Sequence, residues 1–140
     1  MPNDISDRCN AVEECYEFML AYAAQGLPGD QGSNTGGQVR PYLNRAVDAL
    51  TGMAGAYSLA IKEMGLEQPQ RYDKFIAVID RDANDSLAAI EVVLAQPSIS
   101  SQLIDNLNAS IHLRALLTDL FLIDEALKLP SSAAPRVVIS

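Results

Sequence analysis

Few residues in this 140-residue chain are of types that do chemistry: one histidine, His112, no tryptophan, and two cysteines, Cys9 and Cys15. A lone histidine can serve as a phosphoacceptor or general base when a carboxylate orients it. Here Asn108 precedes it by one turn, while Asp105 and Asp119 lie two turns away on either side. That puts both carboxylates about 10 Å off along a helix, beyond a direct hydrogen bond. A dinuclear carboxylate centre needs Glu-x-x-His pairs, and position 109 is alanine rather than glutamate. The cysteines have no identifiable base and fall at core-like positions, so nucleophilic catalysis is not expected. Six residues apart on one helix, they are separated by about 9 Å, too far to bridge.

Two segments could bind ions. Asp80, Asp82, Asn84 and Glu91 reproduce positions 1, 3, 5 and 12 of a calcium loop, but Asp85 occupies the position where that loop turns on glycine. Ile79, Ala83, Leu87 and Ile90 also continue one helical stripe through the segment, and a helix would scatter those oxygens around its circumference. Residues 26–38 hold five of the eight glycines and read as a flexible, exposed loop. Gly36 and Gly37 lead into a helix start with Arg40 close by, an arrangement that can receive an anion, although no phosphate-binding Gly-Lys-Ser/Thr follows. Neither metal nor cofactor is expected.

The elements that must position these residues are helices. Helix-period apolar stripes run over residues 6–25 (Ile5, Cys9, Val12, Tyr16, Met19 and Ala23), 40–64, 70–96 and 101–128. Pro41 suits the first turn of the second, Gly65 its end, and Pro69 and Pro97 bracket the third. Short connections after the second and third favour antiparallel neighbours. The expectation is an all-α protein: an antiparallel up-down-up-down four-helix bundle over residues 1–129, then an extended C-terminal tail over 130–140.

The hydrophobic share of 49% suffices for a real core in one domain. A net charge of −8 argues against nucleic acid and anionic membrane surfaces as partners. The amino-terminal residues carry no basic-then-apolar leader, and no run is long enough to span a membrane, so a cytoplasmic location is expected.

What remains is surface. Gly52, Gly55, Ala56 and Leu59 form an uncharged face opposite the second stripe, and Phe121 and Leu122 add apolar surface on the fourth; Phe18 stands outside the first stripe. Helix-interior glycines at 52 and 55 suggest a close backbone approach. Together these faces predict a homodimer interface. In the tail, Arg136, Val137, Val138 and Ile139 form a β-prone run that could add to a sheet edge or fill a groove of a protein partner. The expected role is therefore a non-catalytic, self-associating protein–protein interaction module of adaptor, chaperone-like or regulatory type. The alternatives are a small-molecule or anion binder built on residues 26–40, and an activity dependent on His112 or a metal.

Overall fold

A computed structural model describes residues 4–128. Six α-helices and no strand occur among them: α1 Asp4–Ala23, α2 Gly36–Leu50, α3 Met53–Glu63, α4 Asp73–Leu94, α5 Ser101–Ala109 and α6 His112–Leu127, with a 3₁₀ turn at Pro69–Tyr72. No helix among the described residues is long and apolar enough to cross a membrane. The tail run Arg136, Val137, Val138 and Ile139 lies outside the described residues.

The apolar stripes build one core. Buried side chains from all six helices join in it, among them Met19, Tyr22, Leu43, Tyr57, Ile79, Ile90, Ile104, Leu116 and Leu120. On α1 the buried edge is turned slightly from the predicted one. Cys15 and Tyr22 are fully buried, whereas Tyr16 and Ala23 pack only from the side. Helix α1 packs chiefly on α2 and α5, and α4 on α6, α3 and α2. The segment resembling a calcium loop lies inside α4, which runs unbroken through it.

Two of the predicted helices are each divided, so six helices stand where four were expected. The second breaks at Thr51–Gly52: Thr51 is extended and Gly52 has φ +79°, left-handed backbone that ends α2 and redirects the chain into α3. Arg8 of α1 secures this break, donating from Nη1 to Ala49 O at 2.8 Å and Thr51 O at 2.6 Å. These are terminal carbonyls that α2 itself leaves without partners. Gly52 is thus required by its backbone angle.

The fourth breaks at Ser110–Ile111. Ser100 caps α5 by accepting from Leu103 N at 3.0 Å, and Ile111, at φ +63°, separates α5 from α6. A β-branched residue in left-handed backbone is a costly device, of the order of 1–3 kcal/mol.

The glycine-rich segment is mostly exposed, and hydrogen bonds tie it to the rest of the fold. Its residues bind the α4–α5 connection: Asp30 Oδ1 accepts from Ile99 N at 2.8 Å, Gln31 Nε2 donates to Pro97 O, and the Leu27 and Ser101 backbones and the Ser101 hydroxyl are interlinked. Tyr22 closes the same corner from α1 by donating to Ile99 O at 2.7 Å. Helix α2 also begins at Gly36, earlier than predicted, which moves Pro41 inside it.

Candidate functional site

Arg40 stands at the corner where the glycine segment meets the end of α4, and its guanidinium is committed there. Nε donates to Asp30 Oδ2 at 2.9 Å, Nη1 to Leu94 O at 3.0 Å and Nη2 to Gln96 O at 2.7 Å. Gly36 N donates to Ser33 Oγ, and Gly37 N to Ser33 O. A Cβ on Gly36 would meet the Asp30 carbonyl oxygen at 2.5 Å, so that glycine answers to close internal packing. Gly36, Gly37 and Arg40 are thus brought together, with their donors directed at the protein itself. Asp30 records the arrangement: burial pushes its carboxyl up, but the Ile99 N–H and Arg40 outweigh that and hold it below the usual carboxylate range.

His112 is the first residue of α6, exposed, and separated from Asn108 by the break at Ile111. Cys9 and Cys15 are buried thiols outside any disulfide. Burial pushes the Cys15 thiol up to about 12, against a smaller opposing pull from Arg45, so it stays protonated and inert near neutrality. No group of three or more metal-ligating side chains occurs among the described residues.

A buried polar chain crosses the core. Tyr57 OH donates to Asp124 Oδ1 at 2.9 Å, which leaves the phenol oxygen to accept from the Cys9 thiol, 3.3 Å away. Burial raises the Tyr57 pKa further, together with Cys9 and Asp124. This chain links α3, α6 and α1. It also fixes which way the outer faces point.

At about 100° per residue, Leu59 lies opposite Tyr57 on α3, and Leu122 lies opposite Asp124 on α6. The buried faces of these helices meet through Tyr57 and Asp124, so their outer faces diverge. Leu59 and Leu122, 54% and 58% exposed, therefore point away from each other. Phe18 belongs to neither face. It stacks on Tyr42 of α2, with ring centroids 4.4 Å apart, and on Tyr22.

Phe121 instead lines a groove between α1 and α6. The groove has a volume of about 220 Å³, a floor of Tyr16, Leu117 and Phe121, and charged rims of Glu13 and Glu17 on α1 and Arg114 on α6. Asp124 meets Cys9 through Tyr57, while Leu117 lies near Tyr16, so the two helices run antiparallel along it. Arg114 follows only from the fold. Tyr16 was read as a core residue, and its partial exposure is what makes it part of the groove.

One further pair was not anticipated. Asp82 of α4 and Asp119 of α6 bring their carboxyl groups against each other. The sequence had placed Asp82 in the calcium-like run and Asp119 near His112. Asp124 left a legible trace, an acidic residue in register with Leu113, Leu117 and Leu120, but Asp119 left none.

Comparison of the chain with protein-family models, with curated proteins and with solved structures gives no match.

Proposed function

We propose that this protein is a non-catalytic protein-interaction module that pairs with a second copy of itself through the α1–α6 groove. The helices are read as an antiparallel bundle in which α2 with α3, and α5 with α6, form the second and fourth arms. Support comes from the groove's composition: an aromatic and aliphatic floor carrying Phe121, which is 42% exposed, between an acidic rim and a basic one. Aromatic anchors ringed by charge are the usual make-up of an interface centre.

The occupant follows from charge. The chain carries −8 overall, so two copies repel unless opposite charges face each other at the contact. Turning one groove onto another about a two-fold axis through Leu117 carries Arg114 of each copy toward Glu13 of its mate. The surface is then self-complementary, as an isologous dimer requires.

Solution mass by light scattering tests the proposal. The wild type is expected at twice the chain mass, and Phe121→Glu at the chain mass with unchanged helical circular dichroism. Arg114→Glu should weaken pairing, and Arg114→Glu combined with Glu13→Arg should restore it. A wild-type monomer at tens of micromolar, or a Phe121→Glu dimer, overturns the proposal.

A further inference from the structure

Two carboxylates facing across a helix–helix contact have no donor between them unless one carries a proton. Asp82 of α4 and Asp119 of α6 are in that position, in contact through their side chains. Asp119 is half-buried, yet its Oδ2 is sealed from solvent and meets no hydrogen-bond donor among the described residues. One turn along α4 from Asp82, the Ser86 hydroxyl is also sealed and has no partner. A negative charge on Asp119 would thus sit against a like charge, with neither water nor a donor at one of its oxygens.

We propose that Asp82 and Asp119 form a proton-operated clasp that holds α6 against α4 while the proton is shared and loosens that contact when it leaves. The step is an ionisation alone: the O–H bond on the pair breaks, the proton passes to solvent, and both carboxyls are then anionic. The break at Ile111 gives α6 a point about which to shift without unwinding α5. The clasp is independent of the pairing proposed above.

The charged surroundings give no relief. On α4 the charged neighbours are Arg81, adjacent in sequence and turned about 100° away, and the further acid Asp85, one turn on; on α6 they are His112 and Arg114, each more than a turn away from Asp119. The one charged residue of α5 is Asp105, and α1 places Glu13 and Glu17 beside α6. Of these groups, Asp82 is the one that bears on Asp119. Burial and the Asp82 carboxyl push the Asp119 carboxyl up to about 7. A carboxyl raised in the folded state contributes full stability below its unfolded value. That contribution is lost as pH rises through the interval between the unfolded and folded values, and the loss levels off above about 7.

The test is thermal unfolding from pH 5 to 9, with amide exchange in α6 and a direct carboxyl titration of Asp119 by carbon-13 NMR. In the wild type the melting temperature should fall between pH 5 and 7 and level off above. The α6 opening constant should rise by up to about tenfold per pH unit over the same interval, less where water screens the pair. Asp119→Asn retains a donor toward Asp82 without the second charge. It should flatten both profiles and melt higher than the wild type at pH 8; Asp82→Asn should flatten them too. An Asp119 midpoint near 4, or an Asp119→Asn profile with the wild-type slope, overturns the clasp. So does a magnesium- or calcium-dependent rise in wild-type melting temperature at pH 8 that Asp119→Asn abolishes, since the pair would then hold a cation.

Discussion

Replacing Arg40 by alanine separates a structural corner from an anion site. The guanidinium makes three hydrogen bonds, to Asp30 Oδ2, Leu94 O and Gln96 O, and two of these carbonyls close the carboxyl end of α4. Buried bonds of this charged kind are worth about 1.5–3 kcal/mol each. The Arg40 side chain is 33% exposed, so water can replace part of what is lost. Discounting for that gives about 1 kcal/mol per bond, or about 3 kcal/mol in all. For a chain of this length that corresponds to a fall of roughly 8–10 °C in melting temperature.

Arg45→Ala is the control. Its ion pair with Glu14 is half-exposed on both sides and should be worth about 0.5 kcal/mol or less. Arg40→Lys should recover only part of the loss, because an ammonium cannot span three acceptors as a planar fork does.

Acid provides a second reading of the same corner. The Asp30 carboxyl is held below its usual range, so its contribution is present above the unfolded value and lost as pH falls through the folded one. Destabilisation of the wild type below pH ~4 should therefore shrink in Arg40→Ala. Calorimetry or circular dichroism melts at pH 7 and pH 3 measure both effects. A melting temperature for Arg40→Ala within ~2 °C of the wild type at pH 7 would refute the reasoning and free Arg40 for a ligand.

Three other predictions follow from the fold. Tyr57→Phe removes the hydroxyl that serves Asp124 and Cys9 in the core, and should cost about 2 kcal/mol in urea denaturation; a cost below ~0.5 kcal/mol would mean the chain through the core is not formed. Gly52→Ala and Ile111→Gly should act in opposite directions, because both positions are left-handed: the first loses about 1–2 kcal/mol, and the second gains about 0.5–1 kcal/mol, since the exposed isoleucine gives up little packing. Both cysteines should resist a thiol reagent at pH 8 until the protein is unfolded in urea; Cys15 labelled within minutes in the native state would contradict its burial and raised pKa.

The places where sequence reading failed share one cause. Gly52 carried a visible signal, but a glycine within a predicted helix is consistent with either close packing or a positive φ, and only the path of the chain decides which. Ile111 carried no signal, because nothing local favours left-handed backbone at a β-branched residue; the helices on either side impose it. Arg40 was recognisable as a cation at a helix start, but its partners Leu94 and Gln96 are carbonyls more than fifty residues away.

Sequence by itself determined what depends on local periodicity and local chemistry. It set the helical class, the core face of α4 and the unbroken helix through the calcium-like run. Such features need only the 3.6-residue repeat and the reach of a side chain along its own helix. The tertiary structure alone decided the breaks at Gly52 and Ile111, the divergence of Leu59 from Leu122, the groove at Phe121, and the meeting of Asp82 with Asp119. Each of these depends on how one helix is rotated and shifted against another. That is set by the packing of the whole core, and a stripe of apolar residues about 100° wide leaves the rotation open by a residue or more.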